Sequence, residues 1–507
     1  MVTQIIDVSA SQEHFFPQKT APAWGLGPQE RKTLSLQVLS QTEPVSRLAQ
    51  KNGVSRKFLY QQAAKASDAI DEAFSPSTGD EEKVLFYLPV TKHWIRQFVL
   101  SLILICHSSF RGVIELLEAV FDTHHISLGT IHNIVREAIR KSRQINDAQD
   151  LSKIRVGLPD EIFQTGQPIL VGVDARSTYC YLLADEDHRD ETTWGVHLLE
   201  LAEKGLRPDY TIADCGPGLR AGQAAAWDNV PCHGDVFHAE RDLGNLAFFF
   251  KNRAAGCTTL RQKLERKMQR AKNKGKGQSL SKKLAEVRKA ETVAVRLAKD
   301  VRILADWMQN DILSATGPNL QTRQQLYDFV VQGLAGLEPL CPHRITGVRR
   351  MLENHRDDLL AFAGILDERF ADVAARLNVP LFLVHAVSEL KNLDKNLPLY
   401  WQQHALLQKK LRDQFHPIET SVGEIIAETP RASSLVENLN SRLRNYFFLR
   451  RHIGNDYLDL LRFFLNHRCF QRSDRPERVG KSPAELLNGQ PHPHWLEQLG
   501  FKRFQCS

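Results

Sequence analysis

Three acidic residues, Asp174, Asp214 and Glu437, stand where the sequence could support metal-dependent chemistry. Asp174 ends the apolar run ILVGVD and Asp214 ends YTIAD, so both carboxylates are predicted at the ends of β-strands. Such strand ends meet at one crevice, where open α/β sheets usually bind ligands. Glu437 lies near the start of a long helical segment, off its leucine stripe. Carboxylates gathered in this way would bind hard divalent cations.

Each acidic residue also has a plain structural interpretation. An Asp after a strand commonly caps a turn or the next helix, and the helix dipole favours a Glu in a first turn. For a single Asp we would prefer that interpretation, whereas two at strand ends, followed later by an acidic helix, favour a metal site. A second group of residues could bind zinc: Cys232, His233, Asp235 and His238. No second Cys/His cluster at ligand spacing completes four ligands, so a packing and supporting role is favoured for this group.

Composition and charge suit a nucleic-acid partner without demonstrating one. Hydrophobic residues make up 42% of the chain and charged residues 25%, as in ordinary globular proteins. The formal net charge is +7, which would suit a polyanion. The eight cysteines contain no Cys-x-x-Cys pair, which argues against a zinc ribbon or disulfide scaffold and favours a reducing cytoplasm. The N-terminus lacks a secretory pattern, and the most apolar run, Phe98 to Cys106, is too short to span a bilayer.

Residues 31–75 have the pattern of a helix-turn-helix motif. Gly53 would permit the sharp turn, and Ser55 would cap a second helix. That helix would enter the DNA major groove with outward-facing side chains of Arg56, Lys57 and Tyr60. An ordinary helical hairpin is the alternative.

Residues 83–150 have a second pattern of the helix-turn-helix kind, in which Ser127 would cap the following helix. The candidate DNA contacts on that helix are Thr130, His132 and Asn133. Two such units in tandem favour DNA binding over two unrelated hairpins, and they would suit a long bipartite site.

The rest of the chain is predicted to be an α/β domain interrupted by helices. Strands and helices in the order ββ(β)αβαβα are predicted over residues 160–250, which indicates a mixed sheet. Helical periodicity broken by Gly or Pro predicts an all-α insertion at 251–425, and the α/β domain resumes at 426–472. Residues 1–30 and 473–507 are predicted to be tails.

A basic run lies early in the predicted insertion. From Arg261 to Lys276 there are eight Lys or Arg residues against one Glu. A solvated helix face and a contact with DNA phosphates are about equally favoured. The candidate DNA contacts are Lys263, Arg266, Lys267 and Arg270.

The order and spacing of these motifs resemble the DDE transposases of bacterial insertion sequences, specifically those with a helical insertion inside an RNase H-like core. In that family the first Asp lies on the first strand, the second follows the fourth strand, and the acidic partner lies on a late helix. The resemblance implies that Asp174, Asp214 and Glu437 are catalytic metal ligands. It therefore implies an α/β RNase H-like core interrupted by an all-α insertion and preceded by helix-turn-helix domains.

Further short motifs are similar to elements of the same family. Asp235 and His238 look like an Asp/Cys-x-x-His element that supports the active site or DNA. Trp307 looks like an insertion aromatic that stacks on a DNA base, and VGKSPAELLNG is similar to the closing Ser-Pro motif. The resemblance covers nearly the whole chain, and its specificity comes from the order of short motifs.

The resemblance implies two Mg²⁺ ions, replaceable by Mn²⁺, that activate the attacking oxygen and stabilise the leaving oxygen. Asp174 would bridge both ions, while Arg442 and Arg444 would hold the phosphate. The expected partners are terminal inverted repeats, target DNA and further copies of the chain, in the bacterial cytoplasm at the nucleoid. An RNase H-like nuclease or resolvase, and an inactive DNA-binding regulator derived from a transposase, remain alternatives.

Overall fold

The computed structural model describes residues 25–74, 88–122, 126–214, 216–272, 278–431, 433–450 and 453–503. Two units are present, residues 1–89 and 90–505, and each is described by itself. Helices predominate in both, and the second unit contains a five-stranded mixed sheet. Most of the predicted N-terminal tail, residues 1–24, lies outside the described residues.

Three helices form the described part of the first unit: α1 (Pro28–Leu39), α2 (Val45–Lys51) and α3 (Arg56–Phe74). Gly53 between α2 and α3 has φ 64°, a left-handed conformation that glycine adopts without strain. The Ser55 hydroxyl accepts the Phe58 N–H at 3.1 Å and so caps α3. Leu48 and Leu59 are buried where these helices meet. The predicted helix, tight turn and second helix are therefore present.

The second unit begins with three helices: α4 (Lys92–Leu104), α5 (Phe110–Phe121) and α6 (Leu128–Asp147). Ser127 caps α6 as predicted, because its hydroxyl accepts the Thr130 N–H at 3.2 Å. Leu100, Val113 and Ile131 are buried in the same hydrophobic core as side chains of the sheet. These helices therefore pack as part of the α/β core.

The sheet has the strand order β3-β2-β1-β4-β5. The strands are β1 (Val156–Gln164), β2 (Gln167–Asp174), β3 (Cys180–Asp185), β4 (Tyr210–Ala213) and β5 (Cys232–Gly234). The β1–β2 and β2–β3 pairs are antiparallel, whereas β1–β4 and β4–β5 are parallel. Two helices join the later strands: α7 (Glu191–Glu203) and α8 (Pro217–Ala226). The predicted mixed α/β core is confirmed at this level.

The central strand, β1, begins before the region where strands were predicted. Its segment contains Pro159, Asp160 and Glu161, which interrupt the apolar pattern. A proline normally argues against a central strand, because it cannot donate a ladder hydrogen bond. Asp174 consequently ends the second strand, and the expectation that it lies on the first strand is wrong.

The insertion after β5 is helical in every regular element that the structure describes. Its helices are α9 (Val236–Lys272), α10 (Gln278–Trp307), α11 (Leu320–Leu337), α12 (Pro342–Asn354), α13 (Arg356–Leu377), α14 (Leu381–Leu390), α15 (Pro398–Leu411) and α16 (Phe415–Glu428). A π-helix, Met308–Ile312, follows α10. These helices share an extensive hydrophobic core, which includes Phe250, Tyr327 and Phe415. Among the described helices no single one is long and apolar enough to cross a membrane, and α13 with α14 meet that test only as a bent pair.

After the insertion, the chain forms two helices that pack against the sheet: α17 (Ser434–Leu449) and α18 (Asn455–His467). Val436 and Leu461 on these helices are buried in the core that also contains side chains of β1 and β2. The described part of the predicted C-terminal tail, residues 473–503, includes α19 (Pro483–Asn488) and α20 (Trp495–Gln498). Trp495 and Leu499 are buried against the same core.

Candidate active site

Asp160 and Asp214 are brought level with each other by the register of the two central parallel strands. Gly157 on β1 lies opposite Thr211 on β4. The same register, if continued three residues along both segments, would bring Asp160 level with Asp214, the residue that follows β4, and the charge of Asp214 does act on Asp160. Asp160 is partly buried, whereas Asp214 is exposed.

Both carboxylates belong to the face of the sheet that α17 covers. Side chains alternate between the two faces of a strand, so Asp160 shares a face with Leu158 and Ile162. Asp214 shares a face with Ile212 for the same reason. Leu158, Ile162 and Ile212 all lie in the core that α17 helps to form.

Glu437 joins the two aspartates from the first turn of α17. One turn later, Asn440 donates a hydrogen bond from Nδ2 to Oδ2 of Asp160 at 2.9 Å. Burial raises the pKa of Asp160 to about 6, and the negative charges of Asp214 and Glu437 contribute to that rise. The Asp160 carboxylate therefore lies within electrostatic range of both Asp214 and Glu437.

The predicted supporting pair, Asp235 and His238, lies beside Glu437. His238 Nδ1 is 2.7 Å from Oδ2 of Asp235, and His238 Nε2 is 4.0 Å from Oε1 of Glu437. The hydrogen bond to Asp235 is the main cause of the raised pKa of His238. Burial alone would raise the pKa of Asp235, but hydrogen bonds from His238 and Ser433 outweigh burial and hold it below its usual value. The pair thus places the imidazole of His238, whose pKa is raised, next to the Glu437 carboxylate.

Asp174 is not part of this group. It lies opposite Gly157 in the antiparallel β1–β2 pair, three residues from Asp160 along β1. Three residues span about 10 Å and reverse the face on which a side chain lies. The Asp174 carboxylate is 3% exposed and accepts the N–H and hydroxyl of Ser177. The structure therefore places Asp174 in the β2–β3 turn, away from Asp214 and Glu437.

One local signal could have identified β1 and with it Asp160. Thr165 and Gly166 separate β1 from β2 and have φ values of 51° and 96°. A two-residue connection with positive φ at both positions is the tight turn of a β-hairpin, and glycine at its second position is characteristic. The Thr-Gly pair between Phe163 and Ile169 thus marks a hairpin whose first strand carries Asp160.

Arg189 was not among the site residues predicted from the sequence. It lies in the segment before α7 and donates a hydrogen bond to Oε2 of Glu161 at 2.5 Å. That hydrogen bond is the main cause of its raised pKa, and the charge of Asp214 contributes. Its side chain remains 58% exposed, so a second anion can reach the guanidinium.

Arg444 and Arg442, both predicted to hold phosphate, lie on different sides of α17. Arg444 Nη2 is 4.0 Å from Oε2 of Glu437, so this guanidinium belongs to the site. The electrostatic neighbours of Arg442 include Arg468 and Tyr446 instead. Arg444 is therefore the better placed of the two for a phosphate at the carboxylates.

The chemistry of the carboxylate group fits a hard divalent cation. Within the described ranges, no three His, Cys, Asp or Glu side chains stand close enough together to hold a metal ion as they are. Carboxylate oxygens are nevertheless the ligands that Mg²⁺ prefers. A bound cation would stabilise the ionised form of Asp160 against the effects of burial and of the neighbouring negative charges. Asp160, Asp214 and Glu437 are the residues that would hold it.

The alternative zinc group is not assembled among the described side chains. The ring of His233 packs against Tyr210, with 4.7 Å between ring centroids. The Asp235 carboxylate is occupied by hydrogen bonds from His238 and Ser433. A packing and supporting role, as favoured from the sequence, agrees with these contacts.

The other predicted DNA contacts lie on three separate helices and are exposed. They are Arg56, Lys57 and Tyr60 on α3, Thr130, His132 and Asn133 on α6, and Lys263, Arg266, Lys267 and Arg270 on α9. The end of the basic run, residues 273–277, lies outside the described residues. Trp307, at the end of α10, is 39% exposed, and its ring centroid lies 5.5 Å from that of Phe329. Contact of these residues with DNA stays a prediction.

No protein-family model matches the chain, and no curated protein matches it significantly. Function is therefore inferred from the carboxylates and their neighbours.

Proposed function

We propose that the protein is a DDE-type DNA transposase that cleaves transposon ends and joins them to target DNA. The observation that supports this most directly is that Asp160 lies within electrostatic range of both Asp214 and Glu437. In the family that the sequence resembles, the first Asp lies on the first strand and the second follows the fourth. Asp160 on β1 and Asp214 after β4 fit that pattern, so Asp160 replaces Asp174 in the proposed catalytic group.

The proposed chemistry requires neutralisation of charge, because both the phosphodiester and its nucleophile are anionic. Bound Mg²⁺ would lower the pKa of the attacking water or 3′-hydroxyl and stabilise the leaving oxygen. Asp160 provides a fixed ligand, since Asn440 and the surrounding core hold its carboxylate. Asp214 is exposed and Glu437 is long, so both can move toward Asp160 to complete the ligand set.

Arg444 and Arg189 are the two arginines that we propose to bind DNA phosphates near the carboxylate group. Arg444 approaches from α17 and Arg189 from the segment before α7. Guanidinium groups bind phosphate oxygens through paired charge-assisted hydrogen bonds. Their side chains are 61% and 58% exposed, so DNA can reach both.

Sequence recognition is assigned to helices outside the carboxylate group. The exposed α3 residues Arg56 and Lys57 follow a tight turn, as in a recognition helix. The exposed basic residues of α9 would bind phosphates without reading sequence. Assembly as a dimer or larger oligomer on paired ends, in the bacterial cytoplasm at the nucleoid, follows from the resemblance alone.

Cleavage of DNA that carries the inverted repeats flanking the gene tests the proposal. We expect wild-type protein with Mg²⁺ or Mn²⁺ to release 3′-hydroxyl ends and then to join them to a target plasmid. Asp160→Asn should abolish both products while preserving binding in a mobility-shift assay. Cleavage without joining would identify a nuclease, and sequence-specific binding without cleavage would identify a regulator. Cleavage by Asp160→Asn at the wild-type rate would exclude the proposed catalytic group.

A further inference from the structure

The two ends of the helical insertion meet at the start of the helix that carries Glu437. The insertion leaves the sheet at Val236 and returns at Arg431, and the Val236 N–H donates to the Arg431 carbonyl at 3.2 Å. Beside this bond, Ser433 donates its N–H to Oδ1 of Asp235 at 3.2 Å, and its hydroxyl donates to Oδ2. The segments that enter and leave the insertion are thus joined by three hydrogen bonds.

Ser433 also belongs to the first turn of the helix. Its carbonyl accepts the N–H groups of Val436 and Glu437 at 2.8 and 3.1 Å. Ser433 and Asp235 are each 2% exposed, so water does not readily replace the bonds between them. Asp235 is therefore linked to the backbone of Glu437 through Ser433, and to its side chain through His238.

Arg431 connects the same segment to the body of the insertion. Its guanidinium donates to Oε1 of Glu240 on α9 at 3.0 Å and to the carbonyl of Leu313. The loop that contains Leu313 is itself held by the buried Arg323, which donates to the carbonyls of Ile312 and Ser314. A displacement of this loop would have to break or move the bonds of Arg431.

We infer that Ser433 and Arg431 are positioning residues that hold Glu437 in place by bonding the start of α17 to Asp235 and to the helical insertion. The position of Glu437 then depends on the position of the helical insertion relative to the start of α17. What Glu437 does once positioned rests on the proposed function.

Ser433→Ala tests the inference, with Ser434→Ala as a matched control because Ser434 is the exposed neighbour in the same turn. Hydrogen exchange measures the order of the first turn of α17, and electron paramagnetic resonance of free Mn²⁺ measures metal affinity. We expect faster exchange at residues 434–437 and a roughly tenfold weaker Mn²⁺ Kd in Ser433→Ala, as for other residues that orient metal ligands. Ser433→Thr keeps the hydroxyl and should give the wild-type exchange rate and Mn²⁺ Kd. Ser434→Ala should change neither quantity.

Arg431→Gln provides a second test that leaves the Asp235–Ser433 bonds in place. It should also speed exchange in the first turn and lower kcat for cleavage, with the KM for DNA unchanged. Wild-type exchange in both Ser433→Ala and Arg431→Gln would overturn the inference. If the wild type neither binds Mn²⁺ nor cleaves DNA, the proposed function fails, while faster exchange in the two variants would still support the positioning of Glu437.

Discussion

Replacing Asp160 by asparagine should stabilise the protein at alkaline pH while abolishing DNA cleavage. Burial, with help from Asp214 and Glu437, raises the pKa of Asp160 from 3.8 to about 6. A difference of about two units at about 1.4 kcal/mol each corresponds to roughly 3 kcal/mol. Asparagine removes the charge and keeps an oxygen that can accept the hydrogen bond from Asn440.

The sign of this effect follows from the direction of the pKa change. Asp160 holds its proton more tightly in the folded state than in the unfolded state, so the unfolded state ionises first as the pH rises. Stability is therefore lost between about pH 4 and pH 6, and the loss is constant above that range. Asparagine does not titrate, so the variant lacks this loss.

Urea unfolding at pH 8 and pH 4 measures the difference. Tryptophan fluorescence, to which the fully buried Trp194 of the α/β core contributes, reports the transition. We expect Asp160→Asn to exceed the wild type by up to about 3 kcal/mol at pH 8 and by less than about 1 kcal/mol at pH 4. Lower stability of the variant at pH 8 would refute the assignment of Asp160 as a buried, uncompensated carboxylate.

Asp174→Asn, at the end of β2, is the matched control. Its carboxylate accepts two hydrogen bonds from Ser177 in a buried turn. Asparagine should weaken these bonds and destabilise the protein by about 1–3 kcal/mol, while DNA cleavage persists in the folded fraction. Cleavage lost in Asp174→Asn and kept in Asp160→Asn would reverse the proposed roles of the two aspartates.

Three further outcomes follow from the geometry. Arg444→Ala should lower the single-turnover cleavage rate at least tenfold more than Arg442→Ala, because only Arg444 lies beside Glu437; equal rates would count against the phosphate role. His238→Gln should destabilise the protein more at pH 6 than at pH 9 in thermal melts. The stability contributed by the protonated ring is fully present below the unfolded pKa of 6.5 and is lost as the pH rises through the raised folded value. A pH-independent effect would contradict the raised pKa of His238. Lys267→Ala should reduce the slope of log Kd against log salt for DNA by about one, and an unchanged slope would indicate a solvated helix face.

The sequence by itself determined the features that depend on a few neighbouring residues. Gly53 and Ser55 specify the turn and cap before α3, because backbone conformation and capping are local properties. The all-helical character of the insertion likewise follows from periodicity and breakers. Asp214 after a strand and Glu437 in a first turn were predicted on the same grounds, and both are observed.

Tertiary structure alone decided which aspartate joins Asp214 and Glu437. Two Asp residues at or near strands look equivalent in sequence, but a side chain's face depends on register, which is set by pairing between distant segments. In this fold β1 pairs with β4 so that Asp160 lies level with Asp214, whereas Asp174 falls on the opposite face and stabilises a turn. The bonds between Asp235 and Ser433 depend on tertiary packing for the same reason, since the whole insertion separates the two residues in the chain.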